Sequence, residues 1–125
     1  MKTSLQTAQY IQDQVAQVGF AWAEVEGVFE KIEEELAETK QAFASGIQTD
    51  IAEELGDLLF SCVCLTRYAD IDAEETLAQA NNKFLRRWKY IERAIQARGE
   101  ELDQQSLESL EILWQEAKTK IVTQS

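Results

Sequence analysis

No proline occurs in this 125-residue chain, and only five glycines do. Proline ends or kinks helices and shapes tight turns. Its absence, with so little glycine, suits long helices joined by short loops and suits turn-rich sheet folds poorly. The expectation is an all-α fold. Hydrophobic residues make up 45% of the chain, enough for one core with little to spare, which predicts a single domain over residues 1–125.

Helical spacing divides the chain into five segments. Leu5, Ala8, Ile11, Val15 and Val18 recur every three or four residues and stop at Gly19, predicting a first helix over about residues 3–18. Val25, Val28, Phe29, Ile32, Leu36 and Phe43 continue the pattern in a second helix, which ends near Ser45 and Gly46 in a sharp turn. A third helix is expected from Thr49 or Asp50 as N-cap. Its stretch from Leu58 to Leu65 is apolar at seven of eight positions, as in a central helix. Asp72 with Glu75 reads as a capping box opening a long fourth helix to Arg98, before Gly99. Ser106 caps a fifth, with Leu107, Leu110, Leu113, Trp114, Ala117 and Ile121 on one face. So long a fourth helix in so small a fold predicts a core completed by pairing with a second copy.

The formal net charge of −11 argues against a nucleic-acid polymer as partner, because such binding depends on many Lys and Arg side chains. The first twenty residues lack a continuous apolar stretch and nothing approaches a membrane span, so a soluble, cytoplasmic protein is expected. Cys62 and Cys64, two apart in an apolar segment, suit neither a redox pair nor a zinc ribbon and read as buried free thiols. No Gly-rich phosphate loop is present.

Eleven of the 23 acidic residues fall between Glu24 and Asp57. Two pairs at i,i+3 stand out: Glu35 with Glu38, and Glu54 with Asp57, each on one helical face. Glu35 and Asp57 are both eleven residues from Gly46, and Glu38 and Glu54 are both eight away. An antiparallel hairpin would set them at matching heights, on the order of 12 to 16 Å from the turn. Four converging carboxylates repel one another unless a hard cation joins them. Oxygen-only ligation favours Mg²⁺, Mn²⁺ or Ca²⁺ over softer metals. The chain has no histidine, which removes the Glu-x-x-His di-iron and HExxH zinc motifs. The competing account is a solvated, Glu-rich helix face. Asp57 resists that account: Asp is a poor residue inside a helix, and this one opens into the apolar Leu58–Leu59–Phe60 run, where a buried carboxylate needs a partner.

Half of the twelve Lys and Arg residues lie between positions 83 and 98. Lys83 and Arg87 share a face at i,i+4 with Arg86 beside them, a set able to bind phosphate oxygens or to pair with surface glutamates. Trp114 and Lys118 repeat the spacing on the last helix, where the indole can stack on a base or belong to the core.

Three segments, KIEEELAE (31–38), EELGDLLF (53–60) and NNKFLRRW (81–88), closely resemble the MazG nucleotide pyrophosphohydrolases in sequence, order and spacing. The likeness runs from about Gly19 through the Trp114/Lys118 helix, and is greatest to the second copy of two-domain members. Residues 1–18 carry no motif of the family. The resemblance implies an all-α dimer with four-helix-bundle packing that cleaves nucleoside triphosphates to a monophosphate and pyrophosphate with Mg²⁺. It implies metal ligation by Glu35, Glu38, Glu54 and Asp57. It further implies phosphate contacts from Lys83 and Arg87, and nucleotide contacts from Lys31, Trp114 and Lys118. Glu38 or Glu34 would orient or deprotonate the attacking water. Two rivals stand beside this reading: a pyrophosphohydrolase confined to one modified, deoxy or phosphoribosyl nucleotide, and a catalytically silent helical module that binds nucleotide or protein.

Overall fold

The computed structural model describes residues 1–121 and is helical throughout its regular structure. Its elements are α1 (Ser4–Gln17), α2 (Val25–Ser45), α3 (Gln48–Ala69), α4 (Ala73–Ala97), a 3₁₀ turn (Leu102–Gln104) and α5 (Leu107–Lys120). No strand occurs among the described residues, as the proline-free composition predicts. The chain divides into two compact units, Met1–Thr76 and Leu77–Ser125.

In the first unit, α2 and α3 form an antiparallel hairpin. Gly46 closes α2 in the left-handed region at φ 72°, and its N–H reaches the Ala42 and Phe43 carbonyls at 3.1 and 3.2 Å. That conformation strains any residue with a Cβ, which is why glycine stands at the turn. The reversal is tighter than Thr49 or Asp50 as N-cap would allow. Ile47 is the N-cap and α3 starts at Gln48, leaving Asp50 in the first turn, where its charge suits the helix N-terminus.

The first helix starts at a full capping box formed by Thr3 and Gln6. Its packing departs from the expected apolar stripe: Ile11 and Val18 are 44% and 84% exposed, whereas Gln12 is buried. Polar side chains hold this helix to its neighbours. Gln9 Nε2 donates to Ile71 O at 2.8 Å, Gln12 Nε2 to Phe60 O at 2.9 Å, and Arg67 Nε to Asp13 Oδ1 at 2.8 Å.

The apolar run of α3 is likewise less enclosed than a central helix. Only Ser61 and Val63 of α3 are buried, while Leu59 is 64% and Phe60 44% exposed. Cys62 and Cys64 are free thiols as expected, but Cys62 is exposed and Cys64 half-buried. A helix apolar on every side needs cover on every side, and the single chain covers only part of it. Among the described residues no helix is long and apolar enough to cross a membrane.

Asp72 Oδ2 accepts the Glu75 N–H at 2.8 Å, the contact the sequence predicts for the start of α4. In the second unit Ile91, Ile95 and Leu113 form a core, each 1% exposed, with Trp88 and Trp114 packed against them. Ser106 Oγ accepts the Ser109 N–H at 3.1 Å, confirming the cap of α5. Leu107, directly after that cap, is 73% exposed and not part of the buried face.

Candidate metal centre

The hairpin brings Glu35 and Glu38 of α2 against Glu54 of α3. One oxygen from each lies within 4.8 Å of the others. Of the two pairs equally spaced from Gly46, Glu38 and Glu54 do meet across the hairpin while Asp57 stays outside the group, and Thr39 links the two arms. Its buried hydroxyl donates to the Glu35 carbonyl at 2.7 Å and lies 3.4 Å from the Glu54 carbonyl across the hairpin. The sequence reading missed Thr39. The available signal was a small polar residue one turn after Glu35, on the face that meets α3.

Burial makes this group unlike a solvated face. Glu35 is 5% exposed, and its Oε2 is buried with no hydrogen-bond donor, as is Glu54 Oε2. A carboxylate oxygen removed from water without a donor is costly and calls for a cation. The Glu35 charge, and after it contact with the Glu54 carboxyl, holds the Glu38 carboxyl above the usual carboxylate range. The donor set is oxygen alone, partly desolvated and anionic, and it fits a hard divalent ion.

Asp57 departs from its expectation of burial. It is exposed, and the close group does not include it. It sits one turn beyond Glu54, where the Leu58–Phe60 run is itself only partly covered. Lys31 pairs with the acids of its own helix: its Nζ lies 3.0 Å from Glu35 Oε1 and 3.5 Å from Glu34 Oε1. The bond to Glu35, followed by the Glu34 charge, raises the Lys31 pKa. Glu34 keeps 59% of its side chain exposed.

In the second unit, α4 and α5 bring the basic and aromatic residues together. The Arg87 guanidinium lies 5.5 Å from the centre of the Trp114 ring, and Phe84 packs on the same indole at 5.0 Å. Arg87 Nε is buried without an acceptor. Trp114 packs on the core, as one of its two readings has it, and its ring also carries the Arg87 guanidinium. Lys83 is half-buried, and Arg86 and Lys118 are exposed. Among the described residues none of these cations forms an ion pair, unlike Lys31.

The model of the MazG nucleotide pyrophosphohydrolase domain matches residues 23–91, which hold all four predicted ligands and the Lys83–Arg87 segment. The chain is 44% identical over 115 residues to a nucleoside triphosphate pyrophosphohydrolase/pyrophosphatase MazG of Thermotoga maritima, covering 92% of this chain and 44% of that protein. It is 42% identical over 119 residues to a nucleoside triphosphate pyrophosphohydrolase of Escherichia coli, with the same coverage of 92% and 44%. An uncharacterized protein YabN of Bacillus subtilis is 44% identical over 69 residues, which is 55% of this chain and 14% of that protein. The chain spans less than half the length of the two pyrophosphohydrolases it matches.

Proposed function

The chain belongs to the MazG nucleotide pyrophosphohydrolase domain family, and from that premise we propose that it hydrolyses nucleoside triphosphates to a monophosphate and pyrophosphate with Mg²⁺. The observation that carries the reading is the pair of buried, donorless carboxylate oxygens on Glu35 and Glu54 within one group of acids. Glu35, Glu38 and Glu54 are proposed as the ligands, with Asp57 added by motif as a fourth. A divalent ion held there would neutralise charge at the phosphates and make a water more acidic. Mn²⁺ should substitute, since it accepts the same oxygen donors.

In this mechanism a water oxygen attacks the α-phosphorus, the bond from that phosphorus to the bridging oxygen breaks, and pyrophosphate leaves. The water's proton passes to a carboxylate, Glu34 or Glu38. Lys83, Arg86 and Arg87 contribute positive charge to phosphate oxygens, with Arg87 held on an aromatic face and free of a competing acid. Lys31 and Lys118 add further phosphate contacts, and Trp114 offers a ring for the base.

We further read the 125 residues as one catalytic domain that works as a homodimer or higher homo-oligomer in the cytoplasm. Support for the assembly comes from the apolar surface left open on α2 and α3, where Phe43 is 58% and Leu59 64% exposed. Product analysis tests the activity. Incubation with a nucleoside triphosphate and Mg²⁺ should give monophosphate and pyrophosphate; diphosphate with orthophosphate would refute cleavage at the α-phosphorus. Asp57→Asn should lose metal-dependent turnover while keeping its helicity, and full activity in that variant would remove Asp57 from the ligand set.

A further inference from the structure

Lys31 and Glu35 lie one turn apart on α2, yet their surroundings differ. The Glu35 side chain is 6% exposed and the Lys31 side chain 40%, so a cation reaches in from solvent to an acid fixed in the interior. Its ammonium stands 3.0 Å from Glu35 Oε1, while Glu35 Oε2 has no donor. Among the described residues this is the one ion pair made by the group of Glu35, Glu38 and Glu54. A divalent ion on those three acids brings two positive charges to the carboxylate that Lys31 holds. The two cations repel each other and compete for one anion.

We propose that Lys31 is the stand-in cation of the metal-free centre, and that metal binding displaces its ammonium from Glu35 and frees it for a phosphate oxygen of the substrate. The inference rests on the reading of these acids as a metal site. The residue types suit an exchange. Lysine is a point charge on a flexible stem and moves between partners, whereas arginine would grip a carboxylate through two parallel bonds. Glu34, 3.5 Å from the same nitrogen and largely exposed, offers the ammonium a resting partner as it leaves.

Two consequences separate this role from that of a plain phosphate ligand. Removing Lys31 leaves the empty centre more anionic, so the metal should bind more tightly and the metal-free fold should weaken. Metal and substrate should also bind with positive coupling, because each favours the state in which Lys31 has left Glu35. A residue that only meets phosphate would leave metal affinity in the absence of substrate unchanged.

The test measures Mn²⁺ affinity of the full chain without nucleotide, by calorimetry or paramagnetic resonance, for wild type and Lys31→Met. Tighter binding in the variant by roughly three- to tenfold, with a lower metal-free melting temperature, is the expected result. Equal or weaker binding in a folded variant overturns the proposal and leaves the metal site standing. Mn²⁺ binding by neither protein overturns the metal site and this inference together. The wild-type chain gives a second measurement that does not depend on the variant's folding. The side-chain nuclear resonance of Lys31 should shift on saturation with Mg²⁺ alone, and an unmoved resonance overturns the exchange.

Discussion

Glu35 on α2 and Glu54 on α3 each turn one carboxylate oxygen into the protein where no donor meets it. Two such oxygens on opposite arms of a hairpin make the metal-free fold electrostatically frustrated. Ligand binding to the folded state alone stabilises it by RT ln(1 + [L]/Kd), about 2.7 kcal/mol at a hundredfold excess over Kd. Millimolar Mg²⁺ should therefore raise the melting temperature, and a chelator should reverse the rise.

Glu38→Gln separates repulsion from ligation. Glu38 is held above the usual carboxylate range chiefly by the Glu35 charge, so ionised Glu38 opposes folding of the metal-free chain at neutral pH. The sign follows from linkage: a carboxyl whose pKa is higher in the folded state favours folding below its unfolded value and loses that contribution as pH rises through the folded one. The variant should melt at the same temperature as wild type or higher without metal, and should lose most of the Mg²⁺-dependent rise. A variant that melts lower without metal and keeps the full rise would exclude Glu38 as a ligand.

Thr39→Val tests what fixes the height of the two arms. Valine keeps the shape of the buried side chain and removes the hydroxyl that donates to the Glu35 carbonyl and faces the Glu54 carbonyl. Loss of one buried hydrogen bond should cost about 1 kcal/mol in chemical denaturation. Metal affinity should fall as well, because Glu35 and Glu54 belong to the backbone positions that Thr39 links. Unchanged affinity with reduced stability would confine Thr39 to packing.

The all-α fold, the turn at Gly46 and the caps at Asp72 and Ser106 were legible because each rests on local chemistry: spacing, a left-handed glycine, or a side chain that meets its own helix's N–H groups. The meeting of Glu38 and Glu54 was legible for the same reason, since a tight turn sets the register by counting residues. Burial was not. Hydrophobic spacing marks Ile11 and passes over Gln12, because amide-to-carbonyl docking of α1 leaves no trace in it. Leu59, Phe60 and Asp57 were expected inside because the run around them is apolar, but an apolar run is buried only where other chain covers it.

Gly27 shows a constraint of the same nonlocal kind. A Cβ at this position would meet the Trp22 ring at 2.8 Å, too close for any side chain, so the indole lies directly over the helix backbone. Trp22 is anchored in turn through its carbonyl, which accepts a hydrogen bond from the Tyr68 hydroxyl at 2.5 Å. Alanine improves helix propensity by about 1 kcal/mol over glycine in an exposed helix interior. Here Gly27→Ala should instead lower stability, by about 1–3 kcal/mol of overpacking. Adding Trp22→Ala should remove that penalty, and a Gly27→Ala chain as stable as wild type would show that the indole moves freely.

In the second unit the Tyr90 hydroxyl donates to the Glu116 carboxylate across α4 and α5. That bond, before burial and the Glu116 charge, raises the Tyr90 pKa above the ordinary phenol value. A phenol with a higher pKa in the folded state contributes stability that is complete below its unfolded pKa and is lost as pH rises through the folded one. Stability should therefore decline in that alkaline window, and Tyr90→Phe should remove this part of the decline. Glu116→Gln should bring the Tyr90 phenolate absorbance transition to lower pH. A transition that stays in place in Glu116→Gln would assign the raised pKa to burial, with the carboxylate playing no part.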